Sequence, residues 1–345
     1  MRYPKSLPRG GTIGFLAPSF GCAMEPYQTA FRNAQKKWEQ QGYRIKLGPN
    51  CYESAGTGIS NTPEKCGAEV MEMFASDADV LISCGGGELM CEILSHVDFS
   101  RLAELEPKWF MGYSDNTNLT YLLATLADTA SVYGPCASSF GMEPLHESLE
   151  DAFRVLTGEC RTVSGYGLWE KESLKDEEHP LAPYNLTEPL AIRRFLGRGE
   201  LTEAEELTFS GRLLGGCMDC LVNLLGTRFD RTKEFVGKYE GDGILWFLEA
   251  CDLNVFSIRR AMWQMEEAGW FEHVSGFLIG RPANGDAMMN LDAYDAILEV
   301  AGRKGVPVIM DVDLGHRPPM MPLIVGSLAK VVTKGNDITV EMQCK

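Results

Sequence analysis

"KWFMGYSDNTNLTYLLATLA", residues 108–127, reads as a strand, a tight turn and a helix. Residues 108–113 are mostly apolar and aromatic, and Leu119, Leu122, Leu123 and Leu126 recur at helical spacing. Ser114 falls on the corner. Serine is a common helix cap, so the corner admits two roles: a cap, or a nucleophile held up on a sharp turn. Gly112 stands two residues before it, as a nucleophile elbow requires, but the trailing glycine of G-x-S-x-G is missing.

Upstream of this unit the chain alternates strand-like and helix-like segments. "TIGFLAPS" (12–19) precedes a helical stretch at 27–41, and "YRIKLGP" (43–49) precedes another at 63–76. "VLISCGGG" (80–87) follows, with helix-like "ELMCEIL" (88–94) leading to residues 108–114. Apolar runs separated by helices imply parallel strands with crossovers, an open α/β sheet. In such sheets the site lies at the carboxyl ends of the strands, which here read "APS", "CGGG" and "GYSD".

Residues 142–210 change character. "EPLHESLEDAF" looks helical, whereas "YGLWEKESLKDEEHPLAPYNLTEP" mixes charges, prolines and aromatics without clear period. The expected organisation is a first domain over 1–141, a linker over 142–210 long enough to cover a site, and a second domain over 211–345. The second block shows a helix at 216–225, strands at 243–250, 274–280 and 307–313, helices at 255–270 and 291–303, and a hairpin-like tail.

The 345 residues, 45% hydrophobic and 23% charged, suit a soluble globular protein of about two domains. A net charge of -16 spread along the chain disfavours nucleic acid and anionic membranes as partners. No apolar leader and no 18-residue apolar span stands in the sequence, and the eleven cysteines are expected as reduced thiols in the cytoplasm. Cys217 and Cys220 have CxxC spacing, but no second Cys or His pair matches them. Neither a metal nor a cofactor is expected.

A serine hydroxyl needs a base, usually a histidine oriented by a carboxylate. Of five histidines, His316 in "DVDLGHRPPMMP" is the one on a strand-end loop bracketed by Gly315 and Pro318. Glu249 ends the apolar run "GILWFLEA" and must find a partner there; a salt bridge to Arg259 or Arg260 is the competing reading. An elbow at Ser114 would offer the N–H of Asp115 as one oxyanion donor, and the glycines of "CGGG" a second. Those glycines match neither G-x-G-x-x-G nor the Walker pattern, so phosphate binding is the weaker alternative.

Together these stretches resemble the serine LD-carboxypeptidase family, over nearly the whole chain. The likeness rests on "GGTIGFLAPS", "GGELMCEIL", "KWFMGYSDNTNL", "SGRLLGGCMDCLVNLLGT", "ILWFLEACDLNVFSIRRAMWQM", "GFLIGR" and "DVDLGHRPPMMPLIVGSLAKV". It implies Ser114 as nucleophile, His316 as general base and Glu249 as the acid holding it, with backbone N–H groups of Asp115 and of Gly86 or Gly87 as the oxyanion hole. It further implies a Rossmann-like N-terminal α/β domain, a C-terminal α/β domain, an active site in the crevice between them, and a metal-free cytoplasmic homodimer.

Two positions depart from the muropeptide-cleaving members, which usually carry an Arg before the Gly-Gly pair and a His before the following Gly-Pro. Here Gly85 and Tyr133 stand there. "VYGPCASSFG" and the long 142–210 segment look more like the microcin C immunity branch, in which the linker helps hold a nucleotide-like group. Trp169, Tyr166 or Tyr184 would then stack on the base. The expected partner is a small peptide-like substrate. Two rivals remain at this level: a two-domain binding module without chemistry, and an α/β-hydrolase esterase, which lacks support because no HGGG-type motif is present.

Overall fold

The computed structural model describes residues 1–345 and divides them into two compact units. One comprises Met1–Cys160 with Glu172–Asn185, the other Arg161–Lys171 with Leu186–Lys345. Both are α/β, as the alternating pattern predicts.

In the first unit, strands Thr12–Leu16 (β1), Arg44–Leu47 (β2), Val80–Ser83 (β3), Trp109–Gly112 (β4) and Ser131–Tyr133 (β5) pair in parallel in the order β2-β1-β3-β4-β5. Helices Tyr27–Gln40 (α1), Pro63–Ala75 (α2), Phe99–Glu104 (α3) and Thr117–Ala127 (α4) make the crossovers, and Glu147–Thr157 (α5) follows. β1, β3 and β4 are buried along their whole length, which is why they read as continuous apolar runs rather than alternating ones. The order reverses beside β1, between β1 and β3. That switch point, at the carboxyl ends, is where such sheets open a ligand crevice.

The expected helix "ELMCEIL" is a 3-10 turn over Met90–His96. Its first N–H is held by the Asp115 carboxylate, at 2.9 Å, rather than by a helical carbonyl.

The second unit is built on a nine-stranded mixed sheet. Its parallel centre is Glu206–Cys217 (β11), Ile244–Glu249 (β12), Val274–Gly280 (β13) and Pro307–Val312 (β14). Chain order reaches them through Thr162–Ser164 (β6), Leu168–Glu170 (β7), Leu186–Pro189 (β8), Arg193–Leu196 (β9) and Gly199–Glu200 (β10), and continues with Leu323–Val325 (β15), Leu328–Lys334 (β16) and Asp337–Gln343 (β17). The sheet runs β10-β9-β14-β13-β12-β11-β16-β17-β6 with antiparallel flanks, while β7 and β8 form a separate ribbon. Helices Met218–Leu224 (α6), Thr232–Lys238 (α7), Val255–Glu267 (α8) and Ala293–Ala301 (α9) complete it. Trp246 of β12 stacks on Trp270, ring centroids 5.9 Å apart, within this core. No helix of either unit is long and apolar enough to cross a membrane.

The segment 142–210, expected as a linker, is instead structure. It carries α5, strands β6 to β10 and the start of β11, and its residues are shared out between both units. Its strands escape periodicity because they are only two to four residues long, apart from β11, too short for a period to show.

Candidate active site

In the first unit the three strand ends converge. Ser114, one residue past β4 and a Tyr, has φ +62, left-handed backbone for a residue with a Cβ. That region costs a non-glycine residue roughly 1–2 kcal/mol, so the neighbours must impose it. Asn116 does so with its Nδ2, which donates to Tyr113 O at 3.1 Å and to Gly85 O at 2.8 Å, tying the corner to the glycine loop. Asp115, 4% exposed, accepts from Ser19 Oγ at 2.5 Å, Met90 N at 2.9 Å and Asn118 Nδ2 at 3.1 Å. One carboxylate therefore locks the turn after β4 to the loops after β1 and β3. Burial pushes its pKa above the usual aspartate range, against the pull of those donors.

The glycines are explained by space. A Cβ on Gly86 would stand 3.2 Å from both Cβ and Oγ of Ser114. One on Gly112 would come within 2.9 Å of the Asn116 side chain, and one on Gly87 would overlap Ser19 Oγ. Gly86 O accepts from Phe20 N at 2.7 Å, which fixes the orientation of that peptide. Tyr133, fully buried at the end of β5, has its hydroxyl 3.4 Å from Ser114 N. Ser114 is thus a strained corner packed against bare backbone, which is what an exposed nucleophile with nearby N–H donors needs.

In the second unit, Cys217 and Glu249 are register partners at the ends of the parallel strands β11 and β12, so their side chains share a face. His316, on the loop after β14, places Nδ1 2.8 Å from Glu249 Oε2. The Glu249 side chain is fully buried and that of His316 only 15% exposed. Burial opposes the charged imidazole, but the Glu249 carboxylate and Cys251 outweigh it and hold the His316 pKa well above the ordinary histidine value. Gly315, at φ +90, is required because a Cβ there would overlap the Glu249 carboxylate.

The surroundings fix this pair from both sides. Arg317 donates to Lys171 O at 2.5 Å and Ala283 O at 2.8 Å, and Glu170 N donates to Pro318 O at 2.7 Å. Asp219, in the first turn of α6, accepts from the N–H groups of Cys251, Asp252 and Leu253 at 2.9–3.1 Å, pinning the loop that leaves Glu249. The competing salt bridge is not made: Arg259 pairs with Glu299 at 3.7 Å and Arg260 bonds Ser257.

Of the expected aromatics, Tyr166 is 5% exposed, with its N–H bonded to Asp313 at 2.6 Å, and serves the core. Trp169 is half-buried, with the Arg281 guanidinium 5.0 Å from its ring centroid. Tyr184 packs edge-on against His146, in the first unit. Sequence reasoning marks Ser19 only as part of the strand end "APS" and misses Asn116, Asp219 and the carboxylate of Asp115. Ser19 had a signal, the small polar residue ending a buried strand; Asp219 had one in its place at a helix start. The role of Asn116 depends on a carbonyl 31 residues away and had none.

The chain is similar to known proteins over most of its length. Residues 13–134 match the family model described as LD-carboxypeptidase N-terminal domain, and residues 210–331 the one described as LD-carboxypeptidase C-terminal domain. A Bacillus subtilis protein named as a probable murein peptide carboxypeptidase is 26% identical over 348 residues, covering 98% of this chain and 94% of its own. Among solved structures, an MccF-like protein from Bacillus anthracis superposes with TM-score 0.82 at 21% identity, covering 99% of this chain and 100% of its own. The microcin C7 self-immunity protein MccF in complex with aspartyl sulfamoyl adenosine gives TM-score 0.79 at 21% identity, with 99% of both chains covered.

Proposed function

Because this chain belongs to the LD-carboxypeptidase family, and is therefore an enzyme of the carboxypeptidase class, we propose that Ser114, His316 and Glu249 are its catalytic triad. The observation that carries the reading is the backbone of Ser114: the protein holds a serine in left-handed conformation against bare Gly86. A helix cap needs no such strain, since caps sit in extended backbone.

In this reading His316 takes the Ser114 proton as Ser114 Oγ attacks an amide carbonyl. The N–H groups of Asp115 and of Gly86 or Gly87 receive the oxyanion. The amide nitrogen leaves with the proton from His316, and a water activated by the same histidine releases the acyl group. Glu249 fixes the tautomer with Nδ1 protonated and stabilises the imidazolium that forms.

The substrate is a small peptide-like molecule whose C-terminal amide is cut, in the cytoplasm, by a homodimer. We favour an aminoacyl or peptidyl nucleotide. Gly85 and Tyr133 stand where muropeptide-cleaving members usually carry Arg and His, and Trp169 with Arg281 offers an aromatic face for a base. A structural relative has been captured with aspartyl sulfamoyl adenosine. The second reading, the L–D bond of a muropeptide, is favoured by the Bacillus subtilis relative.

The test incubates wild type and Ser114→Ala with aspartyl sulfamoyl adenosine and with a muropeptide tetrapeptide ending in D-Ala, and identifies products by mass spectrometry. Release of aspartate by wild type alone supports the nucleotide reading; release of D-Ala alone moves the assignment to the muropeptide. If neither is cut and a fluorophosphonate leaves Ser114 unlabelled, the triad reading fails and a binding module takes its place.

A further inference from the structure

The CxxC stretch has a role that the triad does not absorb. Cys217 Sγ, a Glu249 carboxylate oxygen and a His316 ring nitrogen all lie within 4.8 Å of one another. The convergence is built into the fold, since Cys217 and Glu249 are paired residues of adjacent strands and His316 closes over them from the loop after β14. Thiolate, imidazole and carboxylate make a donor set suited to zinc and to cobalt(II).

We propose that Cys217, Glu249 and His316 form a three-ligand site for a thiophilic divalent cation of the zinc type, and that its occupancy withdraws His316 from proton transfer. The inhibitory half of this proposal rests on the triad reading; the binding half does not.

The geometry asks for small movements. A tetrahedral zinc with bonds of about 2.0–2.3 Å holds its donors roughly 3.3–3.6 Å apart. The Nδ1–Oε2 contact of 2.8 Å must open slightly and the thiol must close in by about 1 Å, both within reach of side-chain rotation. Three protein ligands would leave a fourth tetrahedral position for water or substrate.

Charge favours a cation there as well. Cys217 Sγ donates to Asp219 Oδ2 at 3.3 Å and lies within 4.8 Å of a Glu249 carboxylate oxygen, so the thiol stands between two carboxylates. The same features make it a poor redox nucleophile, since reactive thiols need a depressed pKa. A dication replaces two protons, one from the Cys217 thiol and one shared by His316 and Glu249, both released to solvent; the total charge of the cluster is unchanged while its carboxylates gain a partner.

The test titrates chelator-treated protein with cobalt(II), then zinc(II). Wild type and Ser114→Ala should each take one equivalent of cobalt, with a thiolate-to-cobalt charge-transfer band that zinc abolishes. Cys217→Ser should lose the band and at least ~10-fold in affinity, and whatever hydrolysis rate it has should no longer fall when zinc is added. Cys220→Ser and Cys251→Ser should retain the band, which also controls for folding of a thiol variant. No band in wild type, or a band surviving in Cys217→Ser, overturns the site. A band in a wild type that cuts neither substrate and leaves Ser114 unlabelled by fluorophosphonate upholds the metal site and removes the triad reading; hydrolysis unaffected by bound zinc overturns the inhibitory half alone.

Discussion

Nδ1 of His316 lies 2.8 Å from Oε2 of a fully buried Glu249, and Gly315 is the residue that allows it. The carboxylate stabilises the charged imidazole more than burial opposes it, so the His316 pKa is raised. A general base works neutral. The acid limb of the kcat/KM profile should therefore lie above pH 6.5, the ordinary histidine value. Glu249→Gln should move that limb to lower pH and cut kcat by on the order of 10³–10⁴-fold. A limb that does not move on this substitution would detach Glu249 from the titrating group.

The same shift has a consequence for stability. A raised folded pKa contributes stability that is complete below the unfolded value near 6.5 and is lost as pH rises through the folded pKa. Chemical denaturation from pH 6 upward should show wild type losing stability relative to His316→Gln over that window. Parallel curves would remove the linkage.

Ser114→Ala should abolish fluorophosphonate labelling and lower kcat by at least ~10⁴-fold with the fold intact. Ser114→Gly separates strain from chemistry: it is equally inactive, yet should be more stable than Ser114→Ala by about 1 kcal/mol because glycine accepts φ +62 freely. Equal stability of the two variants would mean that the corner is not strained.

Gly315→Ala should destabilise by about 1–3 kcal/mol through its positive φ, and should also lower kcat by displacing Glu249 from His316. Thermal unfolding and steady-state kinetics on one preparation check both effects.

Asp219→Ala strips the acceptor from three N–H groups of residues 251–253 and should cost about 1–2 kcal/mol. Its kcat should fall by less than that of Glu249→Gln, since it acts through the loop rather than on the imidazole. A pH limb unchanged from wild type would mark it as a positioning residue; a limb moved as far as that of Glu249→Gln would overturn that role.

The sequence by itself determined the class of both units and the candidate residues. Buried parallel strands are continuous apolar runs, and crossover helices are amphipathic, so β1, β3, β4, β12 and β14 were legible as strands from composition and period. A serine, a histidine and a glutamate stood out because each ends or follows such a run. Only tertiary structure decided what those ends do. The positive φ of Ser114 is imposed by Asn116 reaching a carbonyl 31 residues away, and Asp115 gathers donors from loops 96 and 25 residues distant. Cys217 and Glu249 are brought together by strand register and His316 by the loop after β14, a convergence that CxxC spacing does not reveal. Local pattern records which groups are buried. Long-range pairing chooses their neighbours, and chemistry depends on the neighbours.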